Sequence, residues 1–300
     1  MSAPTTSVAA GPISAEGPLS PSAESTPADP DLLHDLTEPQ RHRLRWGRPL
    51  NILGPVGVIL AVLGIWELAT TSGLVQDFVL PSPSAIAAAV QDDPELFWSN
   101  TAATTVEALI ALVLGTLAAV ITSVVFVYSP FVQRSAYPLA LAAQSIPVIA
   151  IAPLLAIWLG PGLVSKVIVA GFLCYFPTLV SMQRGLRAVD PETMELMASY
   201  NAGWWRVLIK VRLRTALPYL FVAMKIGAGG CFVGALTAEW IGADKGLGYL
   251  ISILGSQFRI PELWGAAMIA SMLAVTAFVV VSIVEYLAMP WRRGRVTDNA

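Results

Sequence analysis

The sequence predicts an all-α membrane protein of six transmembrane helices, and three observations predict it. Hydrophobic residues make up 55% of the chain and charged residues 13%, whereas a soluble domain carries roughly 25% charged residues; so much apolar surface needs an apolar solvent. Six segments are long and apolar enough to approach the ~20 residues that a spanning helix requires. The charges between these segments alternate in sign along the chain, as they do in loops on opposite sides of a bilayer.

Residues 1–40 are rich in Ala, Pro, Ser and Thr and have little to bury. They cannot offset their ordering entropy and are expected to form a disordered tail. They lack the basic start and apolar run of a signal peptide. A basic juxtamembrane segment follows at 41–49, beginning "RHRLRWGR"; it reads as a membrane-surface anchor that sets orientation. His34 and His42 flank it and form no ligand set.

The transmembrane domain is placed at 50–290, with spans over Leu50–Thr71, Thr101–Tyr128, Val132–Leu159, Leu163–Met182, Ala216–Ile241 and Trp264–Met289. A seventh apolar stretch, Ala85–Val90, is too short to span. Ser82 followed by Pro83 marks a helix start, with the stretch to Asp93 lying along the outer surface and Asp92 and Asp93 solvated. The loop between the first two spans carries Asp77, Asp92, Asp93 and Glu95 and no Lys or Arg. Arg134 follows the second span, and Lys166 follows the third against the trend. Arg184, Arg187, Arg206, Lys210, Arg212 and Arg214 follow the fourth, and Arg292, Arg293 and Arg295 lie in the tail at 291–300. Basic residues stay inside, so both termini and the segment after the fourth span are expected on the cytoplasmic side.

That segment is unusual for so apolar a chain. Asp190 is placed to cap a helix with Pro191 at its first position, and Glu192 and Glu195 suit the positive end of its dipole. Met197, Tyr200 and Trp204 recur at spacings of three and four, an apolar stripe that one short helix cannot bury by itself. It must pack on its own bundle, lie among headgroups or dock in a partner's groove. Arg206, Lys210 and Arg214 recur every fourth residue, a basic face on a second helical piece.

Within the spans, Pro147 and Pro153 are expected to break the third, and a broken helix at membrane depth either lines a wet or protein-buried cavity or is a packing kink. Gln144 and Ser145, beside that break, are candidates to face a substrate. Glu67, Glu107, Glu239 and Glu285 each require an interior face, a partner or an interfacial position, since an ionised group at the bilayer centre costs at least roughly 2.5 kcal/mol. Glu239 reads as a gate, folding or substrate-contact residue. Lys225 is expected to snorkel. Gly227, Gly230 and Gly234 let helices approach closely, by packing or as a hinge. Cys174 and Cys231 sit in apolar surroundings and offer neither a disulfide framework nor a zinc spacing. No clustered ligands suggest an enzyme, and there is no phosphate-binding G-x-x-x-x-G-K loop.

The segment from Glu195 resembles the cytoplasmic loop of ATP-binding cassette importer permeases, with the pattern E-A-A, three residues, G, nine residues, I, one residue, L-P. Glu195 takes the Glu place, Leu196 and Met197 the Ala places, Val211 the Ile place and Leu213 the Leu place. Asn201 stands where Gly is usual; Asn tolerates left-handed geometry, and Gly203 offers a second place for the turn. Arg214 stands where Pro is usual, with Pro218 in "TALPYL" as the replacement helix breaker. "LPSPSAI" (80–86), "IPVIAIAPLLAIWLG" (146–160) and "TAEWIGADKGLGYLI" (237–251) resemble the nitrate, sulfonate and taurine branch, which includes importers of thiamine-precursor pyrimidines.

The resemblance covers roughly residues 50–290. It implies the six-transmembrane-helix type I ABC importer permease fold, with N and C termini cytoplasmic, in the inner membrane of a prokaryote. It implies a coupling loop of Glu195, Leu196, Met197, Tyr200, Asn201, Gly203 and Trp204 that docks on cytoplasmic ATP-binding cassette ATPase subunits. A second permease subunit, identical or homologous, and an extracytoplasmic substrate-binding protein complete the set, with membrane lipid around it and no nucleic acid. The chain would need no cofactor, ATP being bound by the partner. A substrate pathway through Gln144, Ser145, Pro147 and Glu239 is the accompanying expectation. The cargo would be a small polar organic solute or anion of the sulfonate, taurine or nitrate type, or alternatively a pyrimidine-type vitamin precursor. An ion-gradient-driven secondary transporter is the rival of another class; it predicts an inverted repeat, and no convincing one is seen.

Overall fold

The computed structural model describes residues 50–290 except 74 and 77, and no side chains of residues 50–53 and 55. The expectations for the tail at 1–40, the basic segment at 41–49, Asp77 and the tail at 291–300 lie outside the described residues. The chain divides into a unit ending at Gly57, described only for the start of the first helix, and a larger unit beginning at Val58 that holds the rest.

Every regular element described is helical. Helix α1 covers Leu50–Thr71. It is followed by α2 (Pro83–Asp92) and α3 (Pro94–Tyr128). The starts of α2 and α3 have the same local cause: a capping side chain followed by proline. Ser82 Oγ accepts from the Ala85 N–H at 3.2 Å, and Asp93 Oδ1 accepts from the Leu96 N–H at 3.1 Å; each cap satisfies one of a helix's orphan donors. Asp93 is thus a cap rather than a free solvated charge.

The predicted third span is two helices, α4 (Pro130–Ala143) and α5 (Val148–Leu159), meeting at 101°. The break falls at 144–147, where Pro147 disfavours helical geometry in the residue before it. Pro153 breaks nothing; it lies inside α5. Gly160, at φ 82°, ends α5.

Helix α6 (Leu163–Arg187) places Arg184 and Arg187 in its last turn, where the dipole favours cations. Then come α7 (Pro191–Ser199), α8 (Trp204–Val207), a π turn at Leu208–Arg212, and α9 (Leu213–Trp240). Pro218 lies inside α9 and does not break it. Lys210 lies within the π turn, between Arg206 on α8 and Arg214 on α9, so the basic residues do not keep the register of one regular helix, although all three are exposed. A short α10 (Leu247–Ser256) and a long α11 (Ile260–Ala288) complete the order. Among the described residues, four helices are long and apolar enough to cross a membrane, or five if the bent pair is one span.

Helix α6 lies between α3 and α9, and the main core is built from all three: Ala108, Ala111 and Leu112 meet Val167, Ala170 and Cys174, then Ala228, Cys231 and Ala235. Small residues set the spacing. A Cβ on Gly234 would lie 2.6 Å from the Ala170 Cα, and one on Gly227 would lie 2.9 Å from the Cys174 Cβ. Close backbone approach of this kind drives helix association in lipid. By contrast α1 and α11 expose large apolar side chains, among them Ile65, Leu68, Met272 and Val275 at 63–69%. Apolar surface on that scale suits a lipid surround or a further subunit.

The four span carboxylates all have partners. Glu67 accepts from the Ser84 hydroxyl at 2.6 Å, Glu107 pairs with Lys166 at 2.7 Å, and Glu285 pairs with Lys225 at 2.5 Å. Glu239 is described below. Lys225 therefore pairs across to α11 instead of snorkelling. Lys166, which ran against the charge alternation, is drawn into the interior by Glu107 and is no loop charge.

Candidate functional site

One end of the bundle carries the loop. Helix α7 begins where Asp190 accepts from the Glu192 N–H at 3.4 Å. It ends in a Schellman arrangement. Asn201, at φ 48°, donates its N–H to the Ala198 carbonyl at 2.9 Å, and Ala202 donates to the Met197 carbonyl at 3.0 Å. These two bonds satisfy carbonyls left over by the helix, and they require the residue after the cap to be left-handed. Asn201 supplies the turn that the usual glycine would supply. Gly203, at φ −60° and ψ 153°, is in ordinary extended geometry before α8.

The apolar stripe is thereby split. Met197 is half-buried on α7, Tyr200 caps that helix, and Trp204 starts the next one. What projects is a cluster of Leu196 (55% exposed), Tyr200 (73%), Trp204 (60%) and Trp205 (58%). Glu195 is exposed beside it. Trp205 was missed because it lies off the counted spacing; its adjacency to Trp204 was the available signal. The two indoles meet edge-on with centroids 5.1 Å apart, beside a recess of about 440 Å³ walled by residues 203–206, Ile209 and Lys210.

This cluster is tied to the spans. The Tyr128 hydroxyl, at the end of α3, donates to the Trp204 carbonyl at 3.2 Å, and the two rings stand edge-on at 5.5 Å. The Arg212 guanidinium lies 5.9 Å from the centroid of Tyr128 and donates to the Leu186 carbonyl at 2.8 Å. Val207 and Leu208 are buried beneath. The tryptophans are thus tied by packed groups to the end of α3, and through Arg212 to the end of α6 and the start of α9.

The opposite end is locked by a polar network. Asn100, Thr104 and Glu107 fall at i, i+4 and i+7 on α3, one face of the helix. Thr104 donates to Glu239 Oε1 at 2.7 Å and accepts from the Leu247 N–H at 2.8 Å. Asn100 Oδ1 accepts from the Gly246 N–H at 2.8 Å, and Glu239 Oε2 accepts from the Gly248 N–H at 2.7 Å. Lys166 Nζ reaches the Lys245 carbonyl at 3.4 Å. The turn before α10 is held from three helices. Glycine is required there: Gly246 has φ 124°, and a Cβ on it would fall 2.2 Å from the Glu239 carboxyl carbon.

The expected pathway residues do not converge. Glu239 is 1% exposed and bonds within this network. Gln144, Ser145 and Pro147 are exposed at the bend between α4 and α5. No group of three or more His, Cys, Asp or Glu among the described residues is arranged to hold a metal ion. Cys174 and Cys231 are buried free thiols.

A helical bundle with large exposed apolar faces, an aromatic projection tied to its helices at one end and a pinned turn at the other has the build of a multi-pass membrane protein. The family of binding-protein-dependent transport system inner membrane components matches residues 111–293, and the chain belongs to that family. It is 31% identical to the formylaminopyrimidine transport permease of Halalkalibacterium halodurans, over 82% of this chain and 98% of that one. It is 30% identical to the riboflavin transport permease of Chloroflexus aurantiacus, over 80% and 90%. Its identity to the taurine transport permease of Escherichia coli is 25%, over 75% and 84%. The protein is the inner-membrane permease component of a bacterial ATP-binding cassette importer and is not itself catalytic.

Proposed function

We propose that this chain forms one of a pair of permease subunits whose loop at 190–207 is gripped by a cytoplasmic ATPase, and that the pair imports a small nitrogen heterocycle of the pyrimidine vitamin-precursor type. The observation that carries the coupling role is the exposed cluster of Leu196, Tyr200, Trp204 and Trp205, tied through Tyr128 and Arg212 to the spans. An exposed aromatic cluster is suited to burial in a partner's groove, and a packed tether lets the spans follow the partner as rigid bodies. Both termini lie on the cytoplasmic side in this reading, and the exposed bend at Gln144, Ser145 and Pro147 faces the pathway. Glu239 keeps the outer turn shut from within the subunit.

The cargo assignment favours the heterocycle over a sulfonate or nitrate-like anion. An anion in the pathway would be stabilised by a free cation, yet Lys166 and Lys225 are both neutralised by glutamates. The relatives named for formylaminopyrimidine and riboflavin are also more similar than the one named for taurine.

Two measurements test these statements. Tyr200→Cys should react with a membrane-impermeant maleimide in inverted vesicles and not in sealed right-side-out ones; labelling from outside ends the coupling proposal. Uptake by the assembled transporter should be competed by a formylaminopyrimidine and not by excess taurine. The reverse pattern returns the assignment to a sulfonate.

A further inference from the structure

The polar network at the end opposite the loop holds more negative charge than its cation neutralises. Glu107 is 5% exposed, Lys166 9% and Glu239 1%, so two carboxyls and one ammonium share a dry interior. Lys166 pairs with Glu107 Oε1 and also donates to the Lys245 carbonyl. Glu239 is in no ion pair among the described residues; its two oxygens accept from the neutral Thr104 hydroxyl and the Gly248 N–H. The packed elements supply no further charge to balance it. Helix α5 carries no ionisable residue and α10 carries only Tyr249. Asp244 and Lys245, in the turn between α9 and α10, are exposed. Of the groups at α11, Arg259 pairs with Glu262, and Glu285 with Lys225.

The second observation is the other oxygen of Glu107. Glu107 Oε2 is buried without a hydrogen-bond partner, and the Glu107 carboxyl lies within hydrogen-bonding reach of the Glu239 carboxyl. Two ionised carboxylates held so would set acceptor against acceptor and like charge against like charge, away from water. One proton between them removes a charge and gives Oε2 its missing donor.

We propose that Glu107 and Glu239 form a proton-binding pair: at neutral pH one proton, carried on Glu239, is donated to Glu107 Oε2, and Lys166 balances the charge left on Glu107. The buried cluster is then neutral as a whole. The proton becomes part of the clamp on the turn before α10, because the same Glu239 carboxyl holds the Gly248 N–H. A movement that parts α3 from α9 would expose Glu239 to water, where a glutamic acid gives up its proton. The pair stands apart from the coupling and cargo readings, and either can fail without the other.

The test uses the full chain in mild detergent. Infrared spectra at neutral pH, in H2O and D2O, separate a protonated carboxyl from carboxylates by its own carbonyl band, which shifts on deuteration. Wild type is expected to show that band and Glu239→Gln to lose it. Glu67→Gln, which removes a carboxylate bonded to Ser84, should keep it. No band in wild type, or an unchanged band in Glu239→Gln, overturns the proposal. Thermal melts give a second reading. The folded chain holds a proton that the unfolded chain has released, so wild-type stability should fall as pH rises from neutral to about 9. Glu239→Gln offers Glu107 Oε2 an amide donor that cannot be titrated. It should melt within a few degrees of wild type at neutral pH and fall less steeply as pH rises; a fall as steep as that of wild type overturns the proposal. Should Glu239→Gln fail to fold, Glu107→Gln takes its place in the infrared arm: a lost or shifted band supports the pair, and an unchanged one overturns it. Should neither fold, the presence or absence of the wild-type band decides.

Discussion

Asn201 holds a conformation that most side chains resist, and the loop's shape depends on it. At φ 48° it closes the Schellman bonds that end α7, and left-handed geometry costs an ordinary L-residue about 1–2 kcal/mol. Asn201→Gly is therefore expected to leave thermal stability within a few tenths of a kcal/mol, while Asn201→Val should lose about 1–2 kcal/mol. Thr104 is the other pivotal side chain, since it both donates to Glu239 and accepts from Leu247. Thr104→Val leaves two buried groups short of a partner and should cost about 1–3 kcal/mol in a detergent melt; Thr104→Ser should recover most of it. The role of Asn201 was legible because its residue type tolerates the turn. The partners of Glu239 were not: Thr104 lies 135 positions away, and no local rule links residues at that distance.

Helix α6 meets α3 and α9 through small residues, so the spacing of three elements hangs on missing side chains. Gly234→Ala would press a methyl within 2.6 Å of the Ala170 backbone and should destabilise by about 1–3 kcal/mol, as overpacking does. The glycine run was readable as a packing signal, although which helix it faced was not. The ion pair between α3 and α6 calls for a cycle of variants. Lys166→Met alone strands Glu107 in the interior, and breaking a buried pair costs about 3–5 kcal/mol. Pairing it with Glu107→Leu should restore most of that stability, since apolar replacements of buried pairs are often neutral or better; a double variant as unstable as the single would refute this account of the pair. Two expectations about elements failed for related reasons. The stripe of Met197, Tyr200 and Trp204 assumed one continuous helix, and Asn201 ends it. The third span was drawn as one segment, and its two halves meet at 101°. Apolar run length measures material for a span and says nothing of its direction.

Within the larger unit the helices expose large apolar side chains, and Tyr200, Trp204 and Trp205 project at the end that carries the loop. Those projecting groups bury little within the chain, so Tyr200→Ser with Trp205→Ser should leave the melting temperature within a few degrees while abolishing ATP-dependent uptake by the assembled transporter. Retained uptake would separate the projection from coupling. Composition, span length and charge alternation were enough to establish a helical membrane protein, because the bilayer imposes on every sequence the same demand for ~20 apolar residues with satisfied backbone. Local chemistry was enough to mark the starts at Ser82 and Asp190, because a cap is settled within four residues. Only the folded chain decided that Lys166 is an interior residue, that α4 and α5 bend, and that Glu239 bonds to Thr104 on α3 and to the first turn of α10. Those outcomes depend on which distant groups meet when helices pack, and the energy of such a meeting is not a property of either segment alone.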